Sequence, residues 1–304
     1  MSSHAYSLFE RHDGLSFAYK VLGRNQHATP LVMVHGLSAV GLIDWMPLAA
    51  SIAKHRPVLI FDNRGIGSSY IPKEKAGDTY DVHDMANDVV ELVKHVGWRE
   101  IDLLGFSMGG MIAQTVLVTP RLPFKIRHVV LAATSAKPAH SDLLQAIPQP
   151  PGGELTYEDK VKLVTPFVYV GYDPKFVQDP KNKEILDRRV RESVESRRPA
   201  RTVQNQVGVI AGYDVRKQLS SVPSTLPVLV FHGTLDRSVY FTESSYIRKG
   251  IPHAQFLSLD GVGHMWYDYF TLDWWTDLLN RFLDGGDVSS LAPPSASSPR
   301  KAKL

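Results

Sequence analysis

The chain has 304 residues, 43% hydrophobic and 21% charged with a formal net charge of +3, enough apolar material for one large core with an insertion. So small a charge, with no basic stretch interleaved with aromatics, argues against nucleic acid as a partner, and the absence of cysteine excludes disulfides, thiolate catalysis and thiolate metal ligands. The start, Met1-Ser2-Ser3-His4, lacks a basic segment followed by an apolar run, and no apolar stretch nears the length of a membrane span, so a soluble protein is expected.

In chain order, residues 6–10 and 15–20 read as two strands joined around Asp13-Gly14, a hairpin signal. Short apolar runs at 31–35, 58–62, 101–104, 129–133, 228–232 and 255–259 predict further strands alternating with helices, the pattern of a mostly parallel sheet. Residues 81–96 form one such helix: Val82, Met85, Val89, Leu92, Val93 and Val96 recur at helical spacing, and Gly97 suits its end. Between about 134 and 222 the pattern changes to a Pro-rich connector, 148–153, and helical segments separated by prolines. This predicts a helical cap at 135–221 inserted into a core of 1–134 and 222–283. In the cap, Phe167, Val168, Tyr169, Val170 and Tyr172 either line an apolar entrance or, the commoner fate, pack against the core. From 284 the chain is rich in Gly, Ser and Pro, and a disordered tail is expected over 284–304.

The chemistry concentrates at Gly105-Phe106-Ser107-Met108-Gly109, where a strand ends and an Ala/Val/Leu-rich helix begins. The G-x-S-x-G spacing places a serine on a tight strand-to-helix turn, with glycines where side chains would crowd the neighbouring strand and helix. At such a turn the Met108 N–H opens the helix and is free to face an oxyanion, aided by the helix dipole. The same five residues also occur in ordinary turns. Here they are followed by an acid after the strand at 228–232, Asp236, and by a histidine in the glycine-rich loop after the last strand, His264. No acid follows the strand at 129–133, where Thr134-Ser135-Ala136-Lys137 stands instead, so Asp236 is the better candidate. His35 and His232 precede glycines at strand ends, which suits packing or backbone bonding. No histidine pairs with another or with a carboxylate at i, i+4 in a convincing metal-ligand pattern, so no metal is implied, and Gly65-Ile66-Gly67 lacks the rest of a dinucleotide fingerprint; Asp62 and Arg64 there read as loop braces.

With these residues in the order Ser, Asp, His, the chain resembles an α/β-hydrolase over about 6–283, with a layout similar to enol-lactonase-type members. The resemblance implies an α/β-hydrolase fold, a mostly parallel sheet flanked by helices with a helical cap. It also implies a catalytic set of Ser107, Asp236 and His264, with an oxyanion hole from the backbone N–H groups of Leu37, less so Ser38, and Met108. Acyl transfer from an ester, lactone or thioester with an apolar acyl part to water would need no cofactor. Epoxide hydrolases and haloalkane dehalogenases of this layout carry aspartate at the elbow, so Ser107 argues against their chemistry. C–C bond hydrolysis and a slow or inactive ligand-binding module stay open. The closing Ala302-Lys303-Leu304 is a close variant of the Ser-Lys-Leu signal, so the partner expected there is a peroxisomal import receptor, against a plain cytosolic tail. With that tail the chain also resembles fungal hydrolases of host-selective toxin and polyketide-acid pathways.

Overall fold

A computed structural model describes residues 6–25, 27–149, 153–288 and 291. Its centre is an eight-stranded sheet in the order β1-β2-β4-β3-β5-β6-β7-β8. The strands are β1 (Ser7–Glu10), β2 (Ser16–Leu22), β3 (Leu31–Val34), β4 (Val58–Phe61), β5 (Glu100–Phe106), β6 (Lys125–Ala132), β7 (Val228–Gly233) and β8 (Gln255–Leu259). β1, β2 and β4 pair antiparallel, and every pairing from β4 through β3 to β8 is parallel. The expected hairpin forms around Gly14, at φ +85°, with Gly14 donating to the Arg11 carbonyl.

The parallel strands read as unbroken apolar runs because both faces are covered. On one face Leu31, Met33, Ile60, Leu104, Val130 and Leu229 pack with Trp275, Leu278, Leu279 and Phe282 of the last helix. On the other, Val32, Val34, Leu59, Leu103 and Val129 meet α1 (Val82–Val96) and α2 (Met108–Val118). α1 starts where the sequence places it: the Asp81 side chain accepts from the His83 and Asp84 N–H groups, and Gly97 closes the helix at φ +83°. β6 begins four residues before the apolar run, because Lys125 and Ile126 pair with Glu100 and Ile101 of β5 and the register then shifts before Val129, while the side chains of 125–128 stay exposed or half-buried, a stretch without the hydrophobic signature.

Between β6 and β7 the chain is helical: α3 (Tyr157–Tyr169), α4 (Lys183–Glu195) and α5 (Ala200–Gly212), with shorter helices at Leu143–Ala146 and Pro174–Gln178. α6 (Leu272–Leu283) follows β8. One expectation is corrected at its end, since the packed chain does not stop at 283. Gly285, at φ +84°, turns the chain so that the Gly285 and Gly286 N–H groups cap the carbonyls of Phe282 and Arg281. Asp284 then reaches Arg56 at 2.5 Å and Val288 is buried. Of the tail expected over 284–304, residues 289–290 and 292–304 lie outside the described residues. No helix among the described residues is long and apolar enough to cross a membrane.

Candidate active site

Ser107 sits between β5 and α2 at φ +58°, ψ −125°, a conformation an L-residue adopts only when its surroundings enforce it. The enforcement is visible. The Ser107 N–H donates to the Ala132 carbonyl at 3.0 Å, and the Ser107 carbonyl accepts from Thr134 Oγ1 at 2.7 Å. Both elbow glycines are sterically required: a Cβ on Gly105 would lie 2.4 Å from the Gly109 carbonyl oxygen, and one on Gly109 would lie 2.1 Å from that of Val34. α2 is buried along nearly its whole length, so the turn cannot relax outward.

The acid and the histidine come from the loops after β7 and β8. Asp236 Oδ1 accepts from the Ser238 and Val239 N–H groups, both at 2.8 Å, and Oδ2 accepts from His264 Nδ1 at 2.8 Å. Burial works to raise the Asp236 carboxyl, but His264 and His232 against its oxygens outweigh that and hold it at about 2. An ionised carboxylate fixes the proton on Nδ1 of His264. Phe106 packs on the His264 ring, 4.8 Å between centroids.

Ser107 and His264 line one cavity of about 670 Å³, its open mouth included. The loop after β3 forms its rim. A Cβ on Gly36 would lie 2.9 Å from that of Ser107, so the loop passes directly over the serine. Among the described residues neither the Leu37 nor the Met108 N–H meets an acceptor within the protein, whereas the Ser38 N–H is taken by Gln206 Oε1 at 2.7 Å. This geometry favours Leu37 over Ser38 as the first oxyanion donor. His35 is not part of the reacting group: burial lowers it to about 3, and its neutral Nδ1 accepts the Gly36 N–H at 2.7 Å.

The aromatic cluster between β6 and β7 divides. Phe167, Val168 and Tyr172 line the cavity, while Tyr169 packs in the core and Val170 is buried. Asp62 and Arg64 brace loops as read: Asp62 accepts from the Leu42 and Ser68 N–H groups, and Arg64 forms a two-point pair with Asp88. Sequence reasoning missed two features. His232 does bond backbone, at Val239, but its Nε2 also lies 3.1 Å from Asp236 Oδ2, so one carboxylate oxygen serves two imidazoles; the i, i+4 spacing from His232 to Asp236 was the available signal. The second is the polar wall formed by Asp44, Arg189 and Arg198, for which the sequence carries no local signal.

The profile of the family described as alpha/beta hydrolase fold matches residues 29–271. A proline iminopeptidase of Lactobacillus acidophilus is 24% identical over 290 residues, 90% of this chain and 96% of the relative. A 3-oxoadipate enol-lactonase 2 of Acinetobacter baylyi is 24% identical over 229 residues, 74% of this chain and 78% of that one. Among solved structures, the enol-lactonase from Burkholderia xenovorans LB400 superposes with a TM-score of 0.72 at 20% identity, covering 92% of this chain and all of the other. Over four-fifths of its length, and with the sheet order and strand-to-helix serine turn described above, the chain belongs to the α/β-hydrolase fold family of enzymes.

Proposed function

We propose that the protein is a serine hydrolase that cleaves an ester, lactone or thioester of a small to medium apolar substrate. The observation that carries this is the shared cavity: Ser107 and His264 both face it, and His264 is oriented by Asp236 at 2.8 Å. With Nδ1 of His264 bound to Asp236, Nε2 is the nitrogen left to take the Ser107 proton as the hydroxyl attacks the acyl carbon. The tetrahedral oxyanion is held by the Leu37 and Met108 N–H groups, the latter at the positive end of α2. Collapse expels the leaving group, protonated by His264. Water activated by the same imidazole then releases the acid and restores Ser107.

The segment 135–221 acts in this reading as the cap that selects substrates. Purified protein given a panel of aryl esters, lactones and acyl-CoA thioesters is expected to turn over at least one class steadily. Stoichiometric binding without turnover across the panel would replace the reading with a binding module. In the same panel Phe167→Ala, which removes an apolar group from the cavity wall, is expected to shift the kcat/KM ratio of long to short acyl chains by about tenfold or more. An unchanged ratio would assign Phe167 to packing.

The proposal extends to a peroxisomal location, supported by the sequence Ala302-Lys303-Leu304, which lies outside the described residues. Deleting these three residues is expected to leave kcat and Tm unchanged while an N-terminally fluorescent fusion moves from puncta to diffuse signal. Puncta that survive the deletion would overturn the address. A role in fungal toxin or polyketide-acid metabolism rests on that tail and on the general layout, and no relative named above bears it.

A further inference from the structure

We infer that the helical insertion sets the oxyanion hole directly, through Gln206 and Arg198 acting as positioning residues on Ser38. The inference rests on the serine-hydrolase reading, in which Leu37 supplies the first oxyanion donor.

Ser38 follows that donor and is held at φ +60°, a left-handed conformation that a non-glycine residue keeps only where its neighbours enforce it. Both of its backbone polar groups are gripped by side chains of the insertion. Its N–H donates to Gln206 Oε1 at 2.7 Å, from α5, and its carbonyl accepts from Arg198 Nε at 2.6 Å, from the link between α4 and α5. The Ser38 N–H shares a peptide plane with the Leu37 carbonyl, so this grip anchors the plane that follows Leu37, while the Gly36 N–H bond to His35 Nδ1 anchors the chain before it, and together they limit the rotation open to the Leu37 N–H.

The gripping groups are themselves fixed. Arg198 Nη1 donates to the carbonyls of Glu192 and Ser193, both at 3.0 Å, and Nη2 to Asp44 Oδ2 at 3.2 Å. The same Asp44 oxygen accepts the Val40 N–H at 2.7 Å, which ties the far end of the loop to the same point. Gln206 is fully buried, and its Nε2 finds no partner among the described residues. A buried amide donor left unpaired is destabilising. The residue is therefore placed for its oxygen, and packing alone would be served better by an apolar side chain of the same size. A hydrogen-bonded bridge to the loop that carries the oxyanion donor makes the insertion part of the catalytic apparatus as well as a wall of the cavity.

The test uses the full chain, an aryl ester substrate and an alkyl trifluoromethyl ketone, which adds to a catalytic serine and places an oxyanion in the hole. Gln206→Met keeps the volume and deletes the acceptor. Gln206→Glu keeps an acceptor oxygen and, at the Nε2 position, loses no bond. Rates are expressed per active serine titrated with a fluorophosphonate, so a reduced folded fraction does not enter. The expected result is a ten- to hundredfold fall in kcat for Gln206→Met with KM within about twofold, and a parallel loss of trifluoromethyl ketone affinity. Gln206→Glu is expected to recover most of both, and Arg198→Lys, which keeps the charge beside Asp44 but loses the Nε donor, to fall in the same direction. Gln206→Met with unchanged kcat and ketone affinity, or with kcat and KM altered alike and no recovery by Gln206→Glu, overturns the inference and leaves the hydrolase reading intact. A wild-type protein that neither turns over the ester nor binds the ketone overturns the hydrolase reading, and this inference with it.

Discussion

Ser107→Ala is expected to lose all covalent labelling by a fluorophosphonate probe and to lower kcat by about 10⁴-fold or more, with Tm changed by no more than a few degrees. In the proposed mechanism the variant lacks the nucleophile and with it the acyl-enzyme route, so the remaining rate would reflect only binding and the oxyanion donors. The fold should tolerate the change because the forces that hold the turn are not in the hydroxyl. They are the Ser107 N–H to Ala132, the Ser107 carbonyl to Thr134 Oγ1, and the glycine contacts at 105 and 109. Alanine keeps the Cβ that the Gly36 backbone packs against, so the rim loop also stays in place. Intact-mass spectra after probe treatment decide the matter. Equal adduct mass on the alanine variant would place the nucleophile elsewhere.

Much of this arrangement was legible in the sequence because its signals are short-range. A glycine pair around Ser107, an apolar run before Asp236 and a glycine-rich loop before His264 each encode a local backbone requirement, and the parallel strands announce themselves because both faces are covered. What escaped depends on contacts between residues far apart in the chain. The Gln206 side chain reaches Ser38 across 168 positions, and Arg189 pairs with Asp268 across 79, and neither contact imposes a pattern on its own segment. The same holds for the start of β6, where pairing to β5 at Lys125 and Ile126 begins the strand among exposed and half-buried residues. The end of the packed chain was misplaced for a different reason: Gly285-Gly286 reads compositionally as the onset of a flexible tail, but at these positions glycine serves to close a helix and return Val288 to the core.

His264→Ala is expected to lower kcat by about 10⁴-fold or more, and the double variant with Asp236→Ala to fall less than about tenfold further, a strong departure from additivity. The reason lies in how the carboxylate acts. In the proposed mechanism Asp236 reaches the reacting atoms only through the His264 imidazole: its Oδ2 holds His264 Nδ1 at 2.8 Å, which would select the tautomer and stabilise the imidazolium formed during attack. Without the imidazole there is nothing for the charge to orient. Asp236→Ala alone is expected to cost less than His264→Ala, because Phe106 still packs on the ring and can hold part of its orientation. The Asp236 carboxyl is held at about 2 by His264 and His232 against the opposing effect of burial, so its own protonation should leave no mark on the rate across pH 5 to 9 in the wild type. The decisive measurement is kcat for the two single variants and the double variant on one ester substrate. Near-normal kcat in His264→Ala, or losses that multiply in the double variant, would show that Asp236 and His264 do not act as one unit with Ser107.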